Sequence, residues 1–348
     1  MFLIREVQKK DVADLLLLAN TPGMFNLPSN RDAMLGRIAN SQNSFAGTAS
    51  NPKFVFVAED LTSHHVVATS MIATQHGTAE SPHYYFKVGT EHRFSETIQT
   101  GFIHGTLTLK SQTDGPSELG ALVVADQYRN QPEKVGRQIF FSRFLYLLQN
   151  RNRFRDQLIA ELLPPLNKKG HSPLWEAVGR RFTNLDYWEA DSLSAKNKDF
   201  IHDLFPQGKI YTTFLSADAR NSIGKVGIST EPVMHLLKRI GFTYQNEIDP
   251  FDGGPHLRAL VSKVIPLQKA CKVTLKKSKT LLKNPVTGLI APVKHKDEFR
   301  ALQVTGEIMN SKDGGLVLHL ESNQSDLKKV QSLLKAGGNE PYDFLPYF

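Results

Sequence analysis

A single cysteine in 348 residues is the first scarcity. Cys271 has no partner for an internal disulfide and no companions for a cysteine-rich metal site, which suits a reducing, cytoplasmic compartment. The twelve histidines fall in no H-x-x-x-H or H-E-x-x-H arrangement, so the pattern gives a metal little support. Long apolar runs are also missing. "VADLLLLAN" near the start is too short for a membrane span and carries Asp14. The opening "MFLIREVQKKDV" sets charges directly behind its apolar residues, unlike a secretory leader. Neither a Walker A loop nor a G-x-G-x-x-G loop occurs, and no internal repeat or low-complexity tract is visible.

What is present fits an ordinary globular protein. Hydrophobic residues make up 40% and charged residues 22%, and the length suits two domains. The net charge of +8 is partly local. "KACKVTLKKSKTLLK" holds Lys269, Lys272, Lys276, Lys277, Lys279 and Lys283 with no acid among them. No aromatic residues are interleaved to stack on bases, so a solvated strand or helix face is favoured over a nucleic-acid patch. A basic surplus of this size equally serves the capture of a small polyanion.

Periodicity places a strand at "FLIREV" and an amphipathic helix from Lys9 to Asn20, followed by a polar stretch to Pro52. "KFVFVAED" and "HVVATSMIATQHG" form a hairpin across "LTSH", and further strands are expected in "HYYFKVGT", "FIHGTLTLK", "ELGALVVAD" and "QLIAELLP". A buried helix is expected from Lys134 to about Asn150, and another in "SPLWEAVGRRF" with Ser172 as N-cap and Pro173 in its first turn. Helices near Lys198–Leu204, Asp218–Ile223 and Glu231–Ile240 precede strands in "FTYQNEID" and "HLRALVSKVI". Beyond Pro266, short β-like runs alternate with turns such as "NPVTG" and "SKDGG". The expected organisation is a mixed α/β (α+β) domain over 1–265 and a small β-rich domain over 266–348.

The chemistry starts at "ADQYRNQPEKVG", between an apolar strand and the long helix. Free N–H groups at a helix start, with Arg129, Lys134 and Arg137 beside them, can hold phosphate. Taken alone, the loop reads equally well as a solvated connector. Glu118 and Glu161 stand in or beside apolar strands, where an edge carboxylate or a structural ion pair is the default. In "FDGGP" Asp252 either meets a cationic substrate or caps the turn. Tyr211 offers a phenol as proton donor, or simply packs with its hydroxyl satisfied.

Several segments, in this order, resemble the arginine N-succinyltransferase family (arginine/ornithine succinyltransferases). They are "IREVQKKDVADLLLLA", "FVFVAED", "YYFKVGT", "SELGALVVADQYR", "SRF" at 142–144, "HSPLWEAVGRRF", "IYTTFLSADARNSIGKV" and "GFTYQNEIDPFDGGP". The resemblance implies a GNAT-like mixed central sheet flanked by helices and an acyl-CoA-dependent N-acyltransferase. Succinyl-CoA would be the donor and the α-amino group of arginine or ornithine the acceptor, with no tightly bound cofactor and no metal. It also implies a homo-oligomer or pairing with a paralogous subunit. By position, "ELGALVV" becomes the strand that pairs with the pantetheine arm, through Leu122, Val123 and Val124, and Leu122 matches the family's succinyl-CoA-binding leucine. Arg129 and Gly136 match the ends of its pyrophosphate loop. Glu161 would relay the amine proton and Glu118 hold the substrate's positive charge. The family loop reads Arg-x-x-Gly-x-Gly; here it is two residues longer, and Lys134 stands at the first glycine. Gly227 stands where the family carries its proton-donor histidine, Thr113 at another histidine and Leu163 at an arginine. A non-catalytic or changed-specificity descendant of the fold is the alternative reading, and a nucleic-acid-binding protein a third.

Overall fold

The computed structural model describes residues 1–20, 27–194, 199–278, 281–294, 298–311, 313–321, 327–337 and 340–347. Lys198 and Lys279, in the expected helix and lysine run, lie outside these. In chain order the strands are β1 (Phe2–Glu6), β2 (Lys53–Asp60), β3 (Val66–Ala73), β4 (His83–Ser95), β5 (Thr100–Gln112), β6 (Ser117–Val124), β7 (Gln157–Glu161) and β8 (Lys209–Tyr211). They continue as β9 (Thr243–Ile248), β10 (Pro255–Leu260), β11 (Cys271–Lys277), β12 (Val286–Pro292), β13 (Arg300–Asn310), β14 (Leu316–Leu320) and β15 (Tyr342–Pro346). Among the described residues no helix is long and apolar enough to cross a membrane.

The chain divides into two compact units. One comprises residues 1–74, 119–155 and 261–348. Here β2 lies between β1 and β3, antiparallel to both, and β1 also pairs with β13. The pairings β12–β15, β15–β11, β11–β14, β14–β13 and β13–β12 close a ring of five strands. Val273, Leu275, Ile290, Val304, Leu318 and Phe344 pack in one buried cluster of that ring. On β11 Val273 and Leu275 are buried, while Lys272 and Lys276 on the alternate face are exposed, as is Lys277 at the strand's end. The lysines there form a solvated strand face, as the sequence suggested.

The helix Val135–Gln149 lies against β2, β3, β12 and β15. Packing on several strands explains why "VGRQIFFSRFLYLLQ" is buried on nearly every face instead of along one stripe. Phe141 stacks on Tyr347 with centroids 4.6 Å apart, and Ser70 Oγ donates to the Ile139 carbonyl at 2.7 Å. The expected polar stretch before Pro52 is instead largely a helix, Arg31–Ala46. Its ends carried the signals: Asn30 Oδ1 accepts from Ala33 N–H at 2.8 Å, and Gly47 takes φ 80° just past the end.

The other unit comprises residues 75–118 and 156–260. Its strands run in the order β7-β10-β9-β4-β5-β8, and Ser117 and Glu118 pair in parallel with Leu158 and Ile159 of β7. Helices cover a core of Phe86, Leu107, Leu174, Trp175, Ile248 and Phe251. Trp175 stacks on Phe251 at 5.1 Å. Ser172 caps its helix as expected, accepting from Trp175 N–H at 3.1 Å, with Pro173 in the first turn. "SPLWEAVGRRF" is two short helices and not one, because Val178 leaves helical geometry between Pro173–Ala177 and Gly179–Thr183. "HLRALVSKVI" extends only to Leu260 and then coils into a 3-10 turn, Val261–Lys263.

Candidate active site

Strand registers in the second unit bring distant polar residues to one face. Glu118 sits beside Ile159 on the parallel neighbour, and Glu161 is two residues further along β7, so both carboxylates share a face. His256 of β10 lies directly opposite Glu161, so it joins them. His83 opens β4. His76 arrives from the loop after β3, where its N–H donates to the Pro116 carbonyl at 2.7 Å. Gly115 presses onto that loop so closely that a Cβ would lie 1.6 Å from the His76 carbonyl oxygen. Only glycine allows that approach, and the approach fixes where the His76 ring points.

The His76 ring spans the two carboxylates. Nδ1 is 3.0 Å from Glu118 Oε2 and Nε2 is 3.1 Å from Glu161 Oε1. Nε2 is also 2.7 Å from His83 Nδ1. His83 Nδ1 and His256 Nε2 stand 3.5 Å and 3.6 Å from the same Glu161 oxygen, so three imidazoles converge on it. Burial opposes charge on His76, but Glu118 and Glu161 overcome it and raise its pKa to about 10. Burial likewise pushes Glu161 up, yet His76 and His256 together hold it well below the carboxylate range. His256 goes the other way: it is wholly buried, and burial, only partly offset by Glu161, lowers it to about 4. At neutral pH the site therefore holds an imidazolium, an ionised Glu161 and a neutral His256.

His76, His83 and Glu161 could in principle hold a cation, since their ligand atoms lie within 4.8 Å of one another. The spacing decides against reading the arrangement as a cage. Two nitrogens at about 2.0–2.1 Å from a tetrahedral ion stand roughly 3.3 Å apart, whereas His76 Nε2 and His83 Nδ1 are 2.7 Å apart, a hydrogen-bond distance. The cluster as it stands shares protons.

The structure thus brings Glu118 and Glu161 together through His76. Asp252 lies in the turn that leads into β10. Its Oδ1 accepts from Gly254 N–H at 2.7 Å, so it caps the turn. Burial and the neighbouring Asp249 carry its carboxyl well above the ordinary range, and Glu161 adds to that field. Gly254 is required there because a Cβ would meet the Leu162 carbonyl oxygen at 2.0 Å. Tyr211 donates to Glu91 Oε2 at 3.0 Å, beside Lys209, and not to the histidine cluster. Gly227 N–H donates to the Leu163 carbonyl at 3.0 Å, two residues beyond Glu161, so the position expected to carry a histidine abuts the segment just after β7 without a side chain.

In the first unit, Val123 is buried while Leu122 and Val124 are partly exposed on the alternate face of β6. Arg129 Nε donates to the Val124 carbonyl at 3.1 Å and Nη1 pairs with Asp126 at 3.0 Å, leaving Nη2 buried without a hydrogen-bond partner among the described residues. Lys134 takes φ 50° and ψ 49°, the left-handed conformation that favours glycine, and starts the helix. Arg137 N–H bonds back to the Lys134 carbonyl at 2.8 Å, whereas the N–H groups of Val135 and Gly136 have no backbone acceptor among the described residues. Those two are the free donors a helix start offers an anion.

Sequence reasoning missed His76, His83 and His256. Their spacing resembles no motif, since they come from a loop and from the starts of β4 and β10. "QHG" beside a glycine-bearing turn was the only local hint.

Residues 2–265 match the family model described as arginine N-succinyltransferase beta subunit. An arginine N-succinyltransferase of Escherichia coli O6:K15:H31 (strain 536 / UPEC) is 34% identical over 275 residues, covering 78% of this chain and 79% of that one. That of Enterobacter sp. (strain 638) is 33% identical over 309 residues, covering 87% and 89%. The solved structure of arginine/ornithine succinyltransferase subunit AI from Pseudomonas aeruginosa superposes with a TM-score of 0.81 at 26% identity, covering 99% of this chain and 98% of that one.

Proposed function

This chain belongs to the arginine N-succinyltransferase family, and from that premise we propose that it transfers a succinyl group from succinyl-CoA to the α-amino group of arginine. It is an acyl-CoA-dependent N-acyltransferase of arginine catabolism. The observation that carries the residue assignment is the His76 bridge between Glu118 and Glu161.

Amide formation needs the α-nitrogen to lose a proton as its C–N bond to the thioester carbonyl forms and the C–S bond breaks. The attacking nitrogen becomes far more acidic as that bond forms, so even a weakly basic carboxylate can take the proton then. Glu161 Oε1 is suited to this: it is buried, and His76 at 3.1 Å keeps it ionised. His76 and His83, within reach of that oxygen, spread the incoming proton. Glu118 and the acidic surroundings of Asp252 attract the substrate's positive charge. Holding the amine in place then supplies much of the rate. Leu122, Val123, Val124, Arg129, Lys134, Gly136 and Arg137 hold the acyl-CoA, with the free N–H groups of Val135 and Gly136 facing the pyrophosphate. The reading includes a cytoplasmic location and assembly with a like or paralogous subunit.

The test is arginine-dependent release of thiol from succinyl-CoA. Wild type releases it with arginine and not without. Glu161→Gln lowers kcat by about 10²- to 10⁴-fold while calorimetric affinity for CoA stays within about threefold. Thiol release indifferent to arginine, or a Glu161→Gln variant as fast as wild type, overturns the assignment.

A further inference from the structure

Three arginines in the described residues are almost wholly buried, and two of them are paired. Arg5, 3% exposed, binds Asp11 at 2.8 Å and Glu59 at 2.7 Å. Arg258, 6% exposed, binds Glu247 at 2.7 Å. Arg143, 2% exposed, meets no carboxylate among the described residues. Its Nε donates to the Phe140 carbonyl of its own helix at 3.1 Å, and Nη1 reaches the Gly120 carbonyl only at 3.5 Å. Its Cζ lies 4.6 Å over the Phe140 ring.

A buried guanidinium without an acid costs several kcal/mol in a folded chain. Burial alone drags its pKa down to about 9, still charged at neutral pH. Two carbonyls and a ring face leave Nη2 and one hydrogen of Nη1 for a planar, bidentate anion. The place where it touches the sheet is also particular. Gly120 is on β6, two residues from Leu122 and partly exposed like it, and Ala121 between them has φ 49°. A left-handed alanine in mid-strand is the kind of local strain that collects at ligand sites.

We propose that Arg143 is the anion subsite of the acyl donor, receiving the terminal carboxylate of a dicarboxylic acyl group and selecting it over a neutral acyl group of equal length. The inference rests on the acyltransferase reading above and adds the residue that reads the acyl chain. The subsite works by difference: a neutral chain would leave the guanidinium buried and unpaired, and such a site rejects the analogue that lacks the partner.

Two donors of matched length, succinyl-CoA and butyryl-CoA, test it in the full chain with arginine as acceptor. Wild type favours succinyl-CoA in kcat/KM by about 10²-fold or more. Arg143→Met cuts that ratio at least 30-fold, almost entirely through succinyl-CoA, and Arg143→Lys falls between. Circular dichroism and the thermal midpoint show whether each variant is folded; should neither fold, the wild-type ratio alone decides. A wild-type ratio near one, or a folded Arg143→Met losing both donors equally, overturns the subsite. Turnover of neither donor by wild type overturns the acyltransferase reading itself, and the subsite with it.

Discussion

Replacing His76 with glutamine removes a charge without removing much volume, and the structure gives the sign and size of the consequence. Against the burial of the ring, Glu118 and Glu161 together lift His76 from 6.5 to about 10. At about 1.36 kcal/mol per pKa unit, that is a ceiling on the order of 5 kcal/mol. The folded state holds this proton more tightly than the unfolded chain does. The contribution is therefore complete below pH 6.5, and it drains away as the pH rises toward about 10. A glutamine side chain has no proton to lose, so the stability gap between wild type and His76→Gln shrinks by roughly 3 kcal/mol between about pH 6.5 and 9. Urea unfolding followed by tryptophan fluorescence measures it directly. Both tryptophans, Trp175 and Trp188, lie in the unit that carries His76. On the acid side the trend reverses. His256, lowered to about 4, costs stability as the pH falls below about 6.5, and Glu161, held below its usual range, does so only below about 4.5. A gap constant within about 0.5 kcal/mol over that alkaline window, or a His76 resonance titrating near 6.5, would refute the bridge.

Two further substitutions probe the backbone. Lys134→Gly relieves a left-handed lysine and raises stability by about 1 kcal/mol, read as a higher urea midpoint; a lower midpoint contradicts the φ of 50°. Gly254→Ala drives a methyl against the Leu162 carbonyl oxygen, 2.0 Å away. It should cost roughly 3 kcal/mol and reduce arginine-dependent turnover, since Leu162 follows Glu161; unchanged stability would mean the turn can give way there.

Legibility followed the range of the forces involved. Apolar alternation and helical period showed most strands and the buried helix Val135–Gln149, because burial of one face writes itself into neighbouring residues. The cap at Ser172 was readable for the same local reason. The helix Arg31–Ala46 was not, since "NSQNS" dilutes its apolar stripe; Asn30 and Gly47 were the readable signs. Closure of the five strands after Ile265 depends on pairings such as β12 with β13 and β11 with β14, and no single segment encodes those. Glu118 and Glu161 stood out as acids among apolar neighbours, but nothing along the chain tied them to each other.

The sequence by itself determined the family, through ordered motifs such as "SPLW" and "FDGGP", and with it the class of reaction. It also determined the exposed lysine face of β11, where polar and apolar residues alternate. Only the tertiary structure decided the charge states. At neutral pH His76 is an imidazolium because two strands deliver carboxylates to both its nitrogens, and His256 stays neutral because it is buried opposite Glu161. Arg143 is set apart by the acid it lacks. A pKa is set by what lies within a few ångströms in space, and a one-dimensional pattern does not carry those distances.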